Sequence, residues 1–393
     1  MKKYQKKINC SICGSLKLEK LIILKKFPIT GIFVQKKIKQ NFPYFFNQSL
    51  NICKKCGHIQ LGNFVDPELL YNNLYSTRTS ENHLSKNGIN FFTKFMFDVT
   101  KKKKLGNFME IGCNDLQLIN NLKNNFSNLY GVDPIWISKR KIVKNKITII
   151  GDFIEKLDFK KKIKKKINIF ALTHNLEHIE SPYKVLKKIV DNSGSDALFF
   201  IEVPDADLMI KNSRFDQVFH QHYHYFNINS LSNLINKLDC KIIKKKINPN
   251  FWGGSLLIAF KKNNTKKPKM VLKNNFYLNK KKIVRSYLKF KSHYDKLKVM
   301  IKKKNINVGY GAGQMTPSFA YHLRSDLNFL EYILDDNKKR NNKKYPFLKT
   351  KIKFFDKKLV NNKKILITAL DGTNPISKKL KKLKISFVNP LSI

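Results

Sequence analysis

Four cysteines fall into two pairs, Cys10-Ser11-Ile12-Cys13-Gly14 and Cys53-Lys54-Lys55-Cys56-Gly57. In each pair a tight turn lets both thiolates face one ion. Four thiolates make a closed, tetrahedral zinc site of the structural kind, with no position left for a substrate. His58 follows the second pair and is not counted among the ligands, and Cys113 and Cys240 read as ordinary buried thiols. A second constellation begins at Phe108-Met109-Glu110-Ile111-Gly112-Cys113-Asn114-Asp115. It reads as a strand, a turn at Gly112 and a helix from Leu116 on. Glycine lets the backbone approach a ligand closely, and the C-terminal end of a strand is where open α/β sheets bind ligands. About 20 residues on, Tyr130-Gly131-Val132-Asp133 ends in a carboxylate placed to accept hydrogen bonds from the hydroxyls of a ribose. That spacing fits any ribose-bearing cofactor, dinucleotides included. Gly151-Asp152-Phe153 sets an acid and an aromatic where they can bracket an adenine. Finally, His220, His222 and His224 alternate along the chain. In a strand they would share one face, where they could move protons or hold a metal.

These groups need elements to position them. Apolar runs at 107–111, 129–132, 147–150, 167–171, 197–201 and 255–259 are separated by helical stretches, a pattern that predicts a parallel α/β sheet. Residues 268–304 carry apolar residues at helical spacing and read as a linking helix. Beyond 305 the alternation restarts at 306–310, 332–334 and 365–367, giving a second, smaller α/β unit. The expected division is therefore a zinc-binding domain over 1–66, a larger α/β domain over 67–265 and a Rossmann-like unit with its leading helix over 266–393. An apolar share of 42 % lets each build a core.

The net charge is +51, from 78 Lys and Arg against 27 Asp and Glu. Such a balance can mark a polyanion partner. Here the excess is nearly all lysine and runs the whole length of the chain, whereas nucleic-acid recognition favours a localised patch with arginine for bidentate contacts. Compositional bias is the better explanation. No run is long and apolar enough to span a bilayer, and no apolar run follows the basic start as a signal peptide requires. A cytoplasmic location is expected, and in that compartment paired cysteines point to metal rather than to disulfides.

The turn at Gly112, Asp133, the Asp152-Phe153 pair and Leu176-Glu177-His178 after the fourth strand together resemble class I S-adenosylmethionine (SAM)-dependent methyltransferases. More specifically, the chain resembles the zinc-containing sugar C-methyltransferases, which act on nucleotide-linked keto-deoxysugars. The resemblance spans nearly the whole length. It rests on the cysteine pairs, Cys56-Gly57-His58-Ile59-Gln60-Leu61, Leu74-Tyr75-Ser76-Thr77-Arg78-Thr79-Ser80, Glu110 to Asp115, Glu202-Val203-Pro204, Phe215 to His222, Trp252-Gly253-Gly254-Ser255 and Gly309-Tyr310-Gly311-Ala312-Gly313. It implies a class I methyltransferase sheet between a zinc-binding domain and a Rossmann-like C-terminal domain that frames the substrate. It implies SAM held by Glu110, Gly112, Asn114, Asp115, Asp133, Asp152, Phe153 and His174, and structural zinc on Cys10, Cys13, Cys53 and Cys56. The implied partner is a nucleotide sugar, with the protein a monomer or homodimer.

Three departures bear on the chemistry. Leu116 stands where the family's cofactor loop has glycine. Phe219-His220-Gln221-His222 stands where the family has Tyr-His-Glu-His, so a phenol and a carboxylate are gone. Near the C-terminal domain's final strands, Thr368 to Asn374 replaces a Trp-Asn element. Attack on the SAM methyl by a carbon beside a ketone needs a base and a group that stabilises the enolate oxygen. His222 is then the expected base, with His220 nearby and Tyr75 able to supply a phenol. O-methylation of a sugar hydroxyl with His222 as base is the first alternative. A cofactor-binding protein without turnover, a zinc-containing nucleic-acid binder and a nicotinamide site at Gly309-x-Gly311-x-Gly313 are the others.

Overall fold

In the computed structural model, residues 4–35, 43–71, 83–101, 105–139, 141–251, 253–263, 276–361 and 363–392 are described. Tyr75, the segment 74–80 around it and Trp252 lie outside them. The strand Leu105–Ile111 is the centre of the chain's largest sheet. Phe108, Met109, Glu110 and Ile111 along it are all buried, as a strand covered on both faces requires. Across the sheet the order is Cys240–Asn248, Ser255–Lys262, Leu198–Pro204, Ile169–Thr173, Leu105–Ile111, Phe126–Val132, Ile147–Ile150 and Lys141–Lys144. The five strands from Leu198–Pro204 to Ile147–Ile150 run parallel, and the three remaining strands pair antiparallel. The outermost strands, 141–144 and 240–248, go beyond the sequence expectation. Their exposed lysines alternate with few apolar residues, which weakens the strand signal.

Helices cover the sheet for ordinary amphipathic reasons. Pro182–Asp191 starts on a proline, which suits a first helical turn, and buries Val185, Leu186, Ile189 and Val190 on one face. The linking helix runs Phe276–Lys303 and buries Ile283, Phe290, Tyr294, Leu297 and Ile301. After it, Lys351–Phe354, Tyr332–Asp335, Val308–Tyr310, Ile365–Ile367 and Phe387–Val388 form an all-parallel sheet in that order. The α/β architecture with two Rossmann-like sheets is thus the one expected.

The N-terminal block is more deeply knitted into the rest than a separate domain over 1–66 implies. Its sheet contains Leu18–Pro28, Phe45–Cys53 and Ile59–Leu61, and its fourth strand, His224–Tyr225, comes from the middle of the chain. One hydrophobic core joins Leu24, Phe27 and Leu50 of this block to Phe215 and Phe219, to Phe290 of the long helix, and to Phe319 and Leu366 of the C-terminal unit. A bridge from Val34 to Lys344 ties the two ends together.

Candidate active site

The four thiols meet as their spacing predicts. The sulfurs of Cys10 and Cys56 are 3.5 Å apart, those of Cys13 and Cys53 3.6 Å, and all four lie within 4.8 Å of one another. Thiolates around a tetrahedral zinc at about 2.3 Å sit roughly 3.8 Å apart, so the set fits the ion. Gly14 and Gly57 close the two turns with positive φ and donate to the carbonyls of Cys10 and Cys53. Cys10, Ile12 and Cys53 pack on Leu231, Leu234 and Ile235 of the helix Ile228–Lys237. The knot is therefore a buttress for the middle domain. His58 turns away from the thiols, with Nε2 3.1 Å from Nδ1 of His224.

At the C-terminal end of the central strand, Gly112 has φ +77°, and a Cβ there would meet the Asn175 amide at 2.2 Å. Glycine is required on both counts. Leu116, where the family has glycine, also adopts a left-handed backbone at φ 69° and ψ 20°. That conformation costs a side-chain-bearing residue about 1–2 kcal/mol, and burial of the leucine against the sheet's core offsets part of it. The loop so formed borders a cavity of about 540 Å³ lined by Gly112, Asn114, Asp133, Asp152, Phe153 and Tyr71 among others. Asp133 accepts from the backbone N–H groups of Asn114, at 2.8 Å, and Ile135, at 2.9 Å. Asp152 accepts from the Phe153 N–H and pairs with Lys162 at 3.0 Å. Asp115 lines neither this cavity nor the next. Its own N–H donates to Asn114 Oδ1.

A second cavity, of about 760 Å³, shares Gly112, Asn114, His174 and His178 with the first. From Glu110 and His222 it runs to Lys338, Lys339 and Arg340 of the C-terminal unit. The three alternate histidines do not share a face there. Residues 218–223 are not a strand: the N–H of His222 donates to the Phe219 carbonyl at 3.1 Å and turns the chain. The side chains consequently diverge. His220 is fully buried between Phe27 and Phe46, donates from Nε2 to the Phe27 carbonyl and accepts from Gln48, so it belongs to the N-terminal core and not to the site. His224 donates to the Ile179 carbonyl. Burial pushes His220 down to about 4 and His224 down to about 3, keeping both neutral. His222 alone reaches the cavity. Gln221 is tied to Thr30 and also points away.

Around His222 the structure gathers groups that the sequence did not place beside it. Its ring lies 4.0 Å from Phe219 and 4.6 Å from His178, centroid to centroid. Burial, with the His178 and His174 charges, holds His222 well below the usual imidazole range. Its Nε2 is 3.9 Å from Oε1 of Glu177, a carboxylate 1 % exposed. His178 has Nδ1 2.8 Å from the Gln221 carbonyl and 2.7 Å from the Tyr71 hydroxyl. A carbonyl only accepts, so Nδ1 carries the proton and Nε2 is left with its lone pair facing Glu177, 3.9 Å away. His178 is thus oriented toward the cavity. Burial opposes protonation of His174, but Glu177 and Glu202 outweigh it and lift that imidazole to about 9. Burial, then the Asp133 charge, pushes Glu110 well above the carboxylate range. Glu177 and His178 were legible only as part of the turn Leu176–His178 after the fourth strand; nothing in one sequence shows what faces them.

The far side of the cavity is clamped by Arg214. Its guanidinium donates to both oxygens of Asp216 and to Asp371 of the C-terminal unit, each at 2.8 Å. Removing one partner of such a buried pair costs about 3–5 kcal/mol. Arg214→Met should therefore lower the unfolding free energy by roughly that amount in urea titrations, and a change within 1 kcal/mol would show that the fork carries little. In the same unit, Asp335 accepts from the Ala312 N–H at 2.7 Å and pairs with Arg340 at 3.2 Å. The acid that would hold a nicotinamide dinucleotide's ribose is thus paired with Arg340, and Ser318 donates to the Asp216 carbonyl as part of the domain contact.

Comparison with known families agrees with this geometry. Residues 86–245 match a methyltransferase domain family and residues 10–71 a zinc binding domain family. Residues 86–245 carry a methyltransferase domain. The C-methyltransferase NovU of Streptomyces niveus is 32 % identical over 81 residues, 21 % of this chain and 19 % of that protein's length. Among solved structures, the N-methyltransferase NodS from Bradyrhizobium japonicum in complex with SAH is 12 % identical, with a TM-score of 0.36 over 51 % of this chain and 96 % of that one. The plantazolicin methyltransferase BpumL in complex with SAH is 14 % identical, with a TM-score of 0.36 over 47 % and 87 %. Among the described residues of the methyltransferase chain, no helix is long and apolar enough to cross a membrane.

Proposed function

We propose that the chain methylates a carbon of a nucleotide-activated keto-deoxysugar, with SAM as donor and His222 as base. The observation that carries the reading is the shared wall of the two cavities. The smaller has the glycine loop and Asp133, the larger has His222, and His174 and His178 stand between them. SAM, when bound, supplies an electrophilic methyl. Gly112, Asn114, Asp133, Asp152 and Phe153 would hold it. His222 takes the proton from the carbon beside the ketone. Glu177 lies near enough to stabilise the imidazolium that results. Lys338, Lys339 and Arg340 meet the substrate's phosphates at the far end of the cavity. The lysine-rich surface attracts such an anion without selecting it. NovU, described as a C-methyltransferase, supports transfer to carbon. Phe219 beside His222 favours the second reading, O-methylation, because no phenol stands at that position to stabilise an enolate.

The test is SAM binding followed by turnover. Calorimetry should show SAM binding that Asp133→Ala weakens by about 10–100-fold, as expected for hydrogen bonds to a charged group worth roughly 1.5–3 kcal/mol. Nucleotide keto-deoxysugars should then accept labelled methyl, with product analysis separating carbon from oxygen. Wild-type protein that binds no SAM would overturn the reading.

A further inference from the structure

We propose that Glu177, His178 and His222 form a second divalent-metal site, for zinc or a similar transition ion, whose occupation shuts off methyl transfer. Glu177 and His178 are neighbours on the turn Leu176–His178, and His222 faces them from the turn before His224–Tyr225. One carboxylate oxygen and two ring nitrogens lie within 4.8 Å of one another. Both Glu177–nitrogen separations are 3.9 Å. Ligands at about 2.0–2.1 Å from a tetrahedral zinc sit roughly 3.4 Å apart, so each atom need move only a fraction of an ångström.

Two features show that the three groups are arranged for a cation. Glu177 is buried, and neither of its oxygens has a hydrogen-bond donor. A buried carboxylate is costly unless paired and hydrogen-bonded. His174 approaches Oε1 at 3.4 Å, compensating charge without making a hydrogen bond. Independently, the His178 Nδ1 proton is held by the Gln221 carbonyl, so its Nε2 lone pair points at that carboxylate. Lone pair against carboxylate is repulsive until an ion lies between them. A ring N–H tied to a backbone carbonyl is also the outer-shell bond that metal-ligating histidines make. A mixed nitrogen and oxygen set suits zinc, cobalt or nickel better than magnesium or calcium. Three protein ligands leave a fourth position open toward the larger cavity. An ion there takes the His222 lone pair that proton transfer needs. That consequence, unlike the binding itself, rests on His222 being the base.

The experiment titrates Co²⁺ into protein whose cysteine site already holds zinc, and reads absorption and methyl transfer together. One further equivalent should bind, giving visible ligand-field bands without thiolate charge transfer. Loss of an outer-shell partner alone costs metal affinity about 10–100-fold, so Glu177→Gln and His178→Ala should each weaken the second equivalent at least tenfold and keep their zinc. Absence of a second equivalent in the wild type, or binding undiminished in both variants, overturns the site. Transfer should fall as the second equivalent binds and return when a weak chelator removes it. Transfer that stays level or rises overturns the shut-off. Absence of transfer at every metal level, with the cobalt bands present, overturns the methyltransferase reading and leaves the site standing.

Discussion

His222→Ala should lower methyl transfer by about 10²–10⁴-fold, the usual contribution of a positioned acid or base, and leave SAM affinity unchanged. The two halves of this result have separate physical grounds. The imidazole faces the larger cavity, and the smaller one with the glycine loop and Asp133 does not include it. Its nearest neighbours are Phe219, His178 and the Glu177 carboxylate. No other imidazole of the expected trio can replace it, because His220 and His224 are committed to the Phe27 and Ile179 carbonyls. His220→Ala should instead appear as a loss of stability, with turnover per folded molecule retained. Steady-state kinetics with calorimetry separates the cases. Full turnover in His222→Ala would remove it from the chemistry, and equal losses in turnover and SAM affinity would mark it as structural.

Stripping zinc should have the other large effect. A structural zinc contributes about 10–16 kcal/mol at neutral pH in small domains, and here Cys10 and Cys53 share a hydrophobic cluster with Leu231, Leu234 and Ile235 of the helix Ile228–Lys237. The strand His224–Tyr225, two residues past His222, pairs with Ile59–Leu61 of the same block. Losing the metal therefore loosens the backbone that carries His222. Metal analysis should find one zinc held by the cysteines. A strong chelator, or Cys53→Ser, should abolish the cooperative thermal transition of the N-terminal block and reduce transfer with it. Retention of the transition and of activity in metal-free protein would show the knot to be dispensable.

The contrast between these two sites shows where sequence reasoning reached. Each Cys-x-x-Cys-Gly pair is a local turn, so its geometry follows from neighbouring residues, and two such turns suffice for the tetrahedral set. The glycine turn and Asp133 are equally local, because a strand, a turn and a helix of standard length carry the next strand's end to the same edge of the sheet. The histidines are different. Alternation puts residues on one face only while the chain stays extended, and a hydrogen bond from His222 to Phe219 ends that extension. Gln221, which stands where the family has glutamate, is drawn off by Thr30 of the N-terminal block, nearly two hundred residues away in sequence.

By itself, then, the sequence determined the four-cysteine set, the two α/β sheets and the glycine loop and carboxylate that border the smaller cavity. Each cysteine turn and the glycine loop with its carboxylate is set within one turn or one strand–helix–strand unit. Only the tertiary structure decided that a strand from the middle of the chain completes the N-terminal sheet. It alone turned His222 toward the cavity and His220 into the core, set Glu177 and His178 opposite His222, and made Arg214 the clamp to Asp371. Those outcomes depend on which segments bury apolar surface against each other. That is a property of the whole core, with Phe27, Phe219, Phe290 and Phe319 in one cluster, and no local spacing carries it.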